Sequence, residues 1–311
     1  MNIVVIGGGH GMATILRGIK YIDNINLSAI VTVADDGGST GRIRKYYDIP
    51  AMGDIREVMI SLATKESLLQ QLMDYRFEGS QQVDLLGHNL GNLILTAMTQ
   101  MCGNFSESII ELSKVLSVKG TVIPSSDQIF TLYAKTVDGK EIKGEANIPF
   151  NDDRIEYVYY KEDIKATPLA INAIDNADII IYGIGSLYTS VLPNIIIDDI
   201  KEAINRSKAK KIYFSNVMTQ KGETDNYSIE DHVDAIIDHG VSVDCVIVHD
   251  DDIPNDLINK YALENSRVIS LKDSTHPYML YKYSLLTFIN GYIRHDSNKI
   301  RDCIIDILGY K

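Results

Sequence analysis

The sequence predicts an α/β fold: a doubly wound, mostly parallel sheet with an antiparallel hairpin insertion. Three observations predict it. Short β-branched apolar runs alternate with helix-period segments in the first and last parts of the chain. Glycine-rich loops follow several of those runs, where a strand hands over to a helix in a Rossmann-like sheet. The middle of the chain switches to a strand-turn-strand pattern around Asp138-Gly139.

In order, Ile3 to Ile6 is a short apolar run suited to a strand buried on both faces. Glycines follow, then Met12, Ile15, Leu16 and Ile19 at helical spacing. Leu27 to Val33 reads as a second buried strand, ending in Asp35-Asp36-Gly37-Gly38-Ser39-Thr40-Gly41, read as a loop. Helical patterns occupy about Asp54 to Tyr75, Leu90 to Cys102 and Ser106 to Leu116. Phe130 to Val137 and Glu141 to Lys143 flank the Asp138-Gly139 turn, and Ile155 to Tyr160 adds a strand. These place the antiparallel insertion at about 121–165 within a single domain spanning 1–311. Alternation then resumes with helix Pro168 to Asn176, strand Asp178 to Tyr182, helix Asn194 to Ser207 and strand Lys211 to Ser215. Helix Ile229 to His239 and strand Val243 to His249 follow, then a last strand, Val268 to Leu271, and two C-terminal helical stretches.

The chain has 311 residues, 45% hydrophobic, 23% charged, with a formal net charge of -12. That is enough apolar content for a core, and too much for disorder. The acidic balance argues against nucleic acid or a membrane surface as partner, because both would repel it. Cys102, Cys245 and Cys303 lie far apart without metal-ligand spacing and read as reduced thiols of a cytoplasmic protein. The opening residues lack a signal peptide's basic region, and no apolar run approaches the ~20 residues of a membrane helix, so no membrane insertion is expected.

The chemistry sits in the loops. Gly7-Gly8-Gly9-His10-Gly11 joins strand to helix, and the N–H groups of the following helix suit a phosphate. A dinucleotide fingerprint would need glycine where Met12 stands, so nicotinamide binding is the weaker reading. Asp35 and Asp36 fall at a strand's carboxyl end, where they suit a metal or sugar hydroxyls; Ser39 and the glycines beside it suit a second phosphate. Asp54 is explained by helix capping alone, and otherwise would add a third carboxylate. Asn89 and Asn92, in Gly87-His88-Asn89-Leu90-Gly91-Asn92, can cap a helix or read ribose and base. Gly185 and Ser186 open a second glycine-hydroxyl loop. Asn216 begins the polar segment Asn216 to Thr224, and Arg294, read as part of a link between helices, can offset diphosphate charge.

Together, and in this order, these loops resemble the YvcK/CofD-like family. The resemblance rests on GGGHG at 7–11, VADDGGSTGRIR at 33–44, GDIR at 53–56, GHNLGN at 87–92, GSLYTSVLPN at 185–194 and NVMTQKGET at 216–224. It spans most of the chain and is nearest to the YvcK branch of gluconeogenesis factors. It implies binding of a nucleotide sugar, notably UDP-N-acetylglucosamine, and a role in carbon-source use and cell shape. The CofD branch implies instead phospholactyl transfer in deazaflavin coenzyme synthesis, with a divalent metal such as Mg2+ on aspartates matching Asp35, Asp36 and Asp54. Two positions depart from the family pattern: His10 replaces a threonine, and Ile184 replaces a proline.

The resulting expectation is a nucleotide-sugar-binding regulator. Gly8, Gly9, His10 and Gly11, with Gly185 and Ser186, would hold phosphates. Asp35 or Asp36 would hold a sugar hydroxyl or metal, Asn89 and Asn92 would read the nucleoside, and Arg294 would offset charge. No catalytic residue is assigned, since no nucleophile-base pair stands out. A transferase is the alternative. Homo-oligomerisation and regulatory protein partners are left open.

Overall fold

A computed structural model describes residues 1–64, 68–79, 85–273 and 275–309. In chain order its strands are β1 (Asn2–Gly7), β2 (Asn26–Val31), β3 (Thr121–Pro124), β4 (Tyr133–Thr136), β5 (Glu141–Lys143), β6 (Ile155–Tyr159), β7 (Ile179–Tyr182), β8 (Lys210–Phe214), β9 (Cys245–His249), β10 (Met279–Tyr283), β11 (Leu286–Ile289) and β12 (Tyr292–His295). Its helices are α1 (Gly9–Ile19), α2 (Gly38–Arg44), α3 (Gly53–Leu62), α4 (Leu68–Asp74), α5 (Leu90–Cys102), α6 (Phe105–Val115), α7 (Pro168–Asp175), α8 (Leu192–Ile195), α9 (Asp198–Arg206), α10 (Ile229–Asp238), α11 (Asn255–Leu263) and α12 (Ser297–Leu308).

Seven strands form one sheet in the order β10-β9-β8-β7-β1-β2-β3, and every neighbouring pair is parallel. The predicted doubly wound architecture is therefore the observed one. Central strands are apolar throughout because helices cover both faces: β1 buries Ile3 to Ile6, and β7 buries all four of its residues. α1 answers with Met12, Ile15, Leu16 and Ile19 on its buried side. Helix ends follow capping chemistry. Thr167 caps α7 ahead of Pro168. Ser228 and Asp231 form a capping box on α10. α5 runs from the Asn89 cap to Gly103 at φ 72°.

The antiparallel insertion exists as a three-stranded sheet, β5-β4-β6, with Gly139 at φ +85° in its hairpin turn. It is smaller than expected. Thr121–Pro124, assigned by sequence to the insertion, is β3 of the main sheet, registered against Ser28 to Val31. Phe130 and Leu132 are buried but lie outside β4.

The C-terminal part needs the most correction. Val268 to Leu271 is no strand; Val268 makes a single antiparallel bridge to Met218, because β10 already occupies the place beside β9. Asn255–Leu263 is helical, and the two expected terminal helices are one, α12, preceded by the β11–β12 hairpin. That hairpin turns at Asn290-Gly291, both at positive φ (51° and 72°), a local signal the hydrophobic pattern masked. Arg294 therefore ends a strand, and Asp296 caps α12. Gly38–Arg44, expected as loop, is a short helix, and the expected Asn194 to Ser207 helix divides into α8 and α9. The helix expected from Asp54 to Tyr75 divides into α3 and α4, and residues 65–67 between them lie outside the described residues. Among the described residues no helix is long and apolar enough to cross a membrane.

Candidate functional site

The sheet order places a topological switch between β1 and β7. β1 pairs with β7 (Ile6 opposite Tyr182), β2 and β3 lie to one side, and β8 to β10 lie to the other. Connections leave these two strands in opposite directions, which opens a crevice at their carboxyl ends. The loops after β1 and β7 are fastened across it. Asn194 donates its Nδ2 to the Gly7 carbonyl at 3.2 Å and the Ser190 carbonyl at 2.8 Å.

A cleft of about 840 Å³ opens there, lined by Gly8, Gly9, His10, Gly11, Gly185, Ser186, Asn216 and Arg294 among others. These eight are sequence-predicted site residues, drawn from four separate segments of the chain. The cleft also takes in Met218, from the polar segment already singled out, and Thr14, Arg17, Tyr261 and Ile293, which sequence reasoning missed. Thr14 and Arg17 had a signal, being about one and two helical turns beyond the glycines; Tyr261 and Ile293 had none, since only the fold brings them over.

The glycine loop supplies the anion chemistry. Gly8 caps α1 without a side-chain hydrogen bond, and the first turn carries no acidic residue. Its N–H groups, and the positive end of the helix, point into the cleft without a competing carboxylate on the helix itself. Gly9 sits at φ +62°, a left-handed conformation that suits glycine. His10 is exposed, with Nε2 3.7 Å from Glu57 Oε1; Arg17 Nη2 lies 3.3 Å from the same oxygen. Arg294 joins from β12. The Ser297 hydroxyl of α12 donates to the Thr14 carbonyl at 2.9 Å, tying this segment to α1.

The second glycine loop acts differently from expectation. The Gly185 N–H donates to Asn216 Oδ1 at 3.2 Å, and Asn216 Nδ2 donates back to the Gly185 carbonyl at 2.8 Å. Gln220 Nε2 donates to Ser186 Oγ at 2.6 Å. The following π-helical turn, Leu187–Val191, receives the buried Glu223 carboxylate against the Ser186 and Thr189 hydroxyls and the Tyr188 and Thr189 N–H groups. Glu223 thus fills this turn's anion position from within, so Gly185 and Ser186 form a braced wall of the cleft.

A carboxylate patch adjoins the glycine loop. A Cβ on Gly8 would lie 2.1 Å from Asp54 Oδ2, so only glycine allows this approach. Asp54 is only half-buried by surface area but lies deep in the molecule. Loss of solvent, then Asp35 and Glu57, push its pKa up to about 7 despite Arg56. Burial also raises Asp35, although the Gly37 N–H bonds its Oδ1 at 2.8 Å. Glu145, from the 3-10 turn of the insertion, is pushed up to about 8 by burial and then by Asp35 and Asp54. Burial raises Glu223 to about 7. Glu145 carried no sequence signal; Glu223 lay in a loop already singled out.

Asp36 does not join Asp35 and Asp54: its Oδ1 accepts the Ala146 N–H at 3.0 Å. Among the described residues no three His, Cys, Asp or Glu side chains are arranged to hold a metal ion. The expected Asp35-Asp36-Asp54 metal set is therefore not assembled here. The same patch includes Ser39, whose Oγ is 3.1 Å from His88 Nδ1 and accepts the Asn89 N–H at 3.3 Å. Asn89 Oδ1 accepts the Asn92 N–H at 3.1 Å as the α5 cap, and its Nδ2 donates to the Asp74 carbonyl at 3.1 Å, so this buried amide serves the junction of α4 and α5. Asn92 reaches Thr40 Oγ1 at 3.5 Å, and its buried Oδ1 has no protein partner.

Comparison with known proteins gives a consistent picture. A family model described as "2-phospho-L-lactate transferase CofD" matches residues 3–281. A protein named "Gluconeogenesis factor" from Bacillus subtilis (strain 168) is 42% identical over 313 residues, 99% of this chain and 98% of that protein. Another of that name, from Halalkalibacterium halodurans, is 43% identical over 312 residues, covering 98% and 96%. A crystal structure of a UPF0052 family member from Bacillus halodurans matches with a TM-score of 0.93 at 41% identity, covering 98% of this chain and 99% of that one.

Proposed function

The chain belongs to the 2-phospho-L-lactate transferase CofD family, and from that premise we propose that it binds a nucleotide sugar of the UDP-N-acetylglucosamine type and serves gluconeogenesis, carbon-source use and cell shape in the cytoplasm. The gluconeogenic part of this reading draws on the names of its full-length relatives. The observation that carries the ligand is the uncapped first turn of α1 facing the same cleft as Arg17 and Arg294. A diphosphate there receives N–H donors, the helix dipole and two guanidinium groups, within a chain whose net charge of -12 would otherwise repel it. The nucleoside end falls toward Tyr261, Met218 and Ile293, where an aromatic ring and apolar side chains offer a surface for a base. Regulation then passes to protein partners through the ligand-bound state.

Isothermal titration calorimetry with UDP-N-acetylglucosamine, UDP-glucose and free UDP tests this. One-to-one binding, strongest for a UDP-sugar, is the expected result. Absence of heat with all three sinks the reading.

A second reading, phosphoryl-type transfer as in the CofD branch, is favoured by one observation: Asp54 lies against Gly8 with Asp35 acting on it, and burial raises the pKa of both. Such a pair can orient or deprotonate an attacking hydroxyl. Nucleotide release on incubation with nucleotide-activated phospholactate and a deazaflavin acceptor is its test. No step through a metal is derived, since among the described residues no three acidic, His or Cys side chains are arranged to hold an ion.

A further inference from the structure

We propose that a hollow behind the cleft wall is a second binding site, which takes a free α-amino acid in its zwitterionic form. The segment from Asn216 to Tyr227 has a depression on each side. Met218 and Gln220 line the large cleft, whereas Thr219 and Lys221 line a separate hollow of about 370 Å³. Asn151 and Asp152, at the end of the insertion's 3-10 turn, line it from across. Its walls are fixed. A Cβ on Gly222, at φ +78°, would lie 2.1 Å from the Pro149 carbonyl oxygen, so this segment and the insertion meet backbone to backbone. The Thr219 N–H donates to the Arg267 carbonyl at 2.8 Å, and the Arg267 N–H donates to Thr219 Oγ1 at 2.9 Å. That pairing brings Arg267 to the same hollow as Lys221.

The hollow holds unspent groups of both signs. Among the described residues, the exposed side chains of Lys221 and Asp152 have no hydrogen bond or ion pair. Arg267 Nη1 donates to Asn226 Oδ1 at 3.1 Å, a neutral partner that leaves its charge uncompensated. Asp225 uses Oδ2 on the Gly222 N–H at 2.6 Å. Asn151 is only 4% exposed; its Nδ2 donates to the Asp153 carbonyl, and its buried Oδ1 has no protein partner. A shielded acceptor without a donor is rare in a folded protein and calls for one from outside.

Charge selects the occupant. A simple anion would meet Asp152 and Asp225, and a simple cation would meet Lys221 and Arg267. A zwitterion satisfies both pairs, with its carboxylate beside Lys221 and Arg267 and its ammonium beside Asp152, Asp225 and Asn151 Oδ1. Being neutral overall, it is not repelled by a chain of net charge -12. Past Asp152, Asp225 and Asn226 the hollow continues into a lobe of about 330 Å³. There Arg154 and Lys272 both pair with Asp231, and Asp153 accepts the Asp138 and Arg154 N–H groups. With its ionic groups engaged, that lobe suits an uncharged polar side chain.

Calorimetry of the full chain against serine, threonine, asparagine and glutamine at millimolar concentration tests the proposal, with acetate and ethylamine as probes of a single charge. The expected result is saturable one-to-one binding of at least one of these amino acids and of neither probe. Lys221→Ala and Asp152→Asn should each weaken that binding by about tenfold or more, and Lys221→Arg should retain it. Both positions are exposed, so the ligand-free melting temperatures should match wild type. No binding of any of these amino acids, binding unaltered by both variants, or equal binding of acetate or ethylamine would each overturn the assignment.

Discussion

An ideal Cβ on Gly11 would sit 2.3 Å from the carbonyl oxygen of Ile184, so α1 and the loop after β7 meet backbone to backbone. This contact closes the floor of the cleft where the sheet changes direction. Gly11→Ala must push that loop away, and overpacking of this kind costs about 1–3 kcal/mol. Its expected signature is a lower melting temperature together with at least a tenfold loss of UDP-sugar affinity by calorimetry. Wild-type values for both would show that the contact yields freely.

Arg294 is exposed in the cleft and leans on the Tyr292 ring at 5.4 Å, so its removal should leave folding almost untouched. A hydrogen bond to a charged group contributes about 1.5–3 kcal/mol. Arg294→Ala should therefore weaken UDP-N-acetylglucosamine binding by about tenfold or more at unchanged melting temperature, and the remaining affinity should depend less on salt. Equal affinity in variant and wild type removes Arg294 from the site.

The buried carboxyls predict a pH dependence of stability. Asp54, Glu145 and Glu223 have folded pKa values raised to about 7, about 8 and about 7, by burial first in each case. A raised carboxyl binds its proton more tightly when folded. Its stabilisation is thus complete below the unfolded value near 4 and is lost as pH rises through 7 to 8. The ligand-free melting temperature should fall between pH 5 and pH 8.5, within the window those shifts define. Asp54→Asn keeps the shape without the charge and should melt above wild type at pH 8.5 but not at pH 5. A variant that melts below wild type at both would show that the Asp54 carboxylate is stabilising, contrary to this account.

Asn216 uses both ends of its amide on the Gly185 peptide. Asn216→Ala leaves a partly buried N–H and carbonyl unpaired, at a cost of about 1–3 kcal/mol. Urea unfolding should show a lower midpoint with an unchanged slope, and UDP-sugar affinity should fall as the wall loosens. Asn216→Asp, which retains only the acceptor, should lie between the two. An unaltered midpoint in the alanine variant would remove the brace from the account.

The legible parts of the site were the ones written in consecutive residues. Gly7 to Gly11 announced a strand-to-helix turn because φ +62° at Gly9 favours glycine and a side chain at Gly8 would run into Asp54. Arg294 was singled out, but its place at the end of a hairpin was not, because Arg294 to Ser297 was read as the link between two C-terminal helical stretches. Asn89 was chosen for its donor and acceptor, and the structure turns its oxygen to the start of α5 and an N–H to the end of α4. Glu145 was invisible because nothing near it in sequence is acidic in a patterned way; the insertion carries it to Asp35 and Asp54.

By itself the sequence determined the parallel doubly wound sheet, the place of the glycine loops and the acidic net charge. Those properties depend on side-chain period, local backbone freedom and total charge, all of which add up along the chain. Tertiary structure alone decided that β1 and β7 are neighbours, that Glu223 fills the anion position beside Ser186, that Asp36 accepts the Ala146 N–H, and that α5 shows its apolar side to water. Each of these depends on which distant segments pack together, and strand order and side-chain direction arise only when the whole core closes.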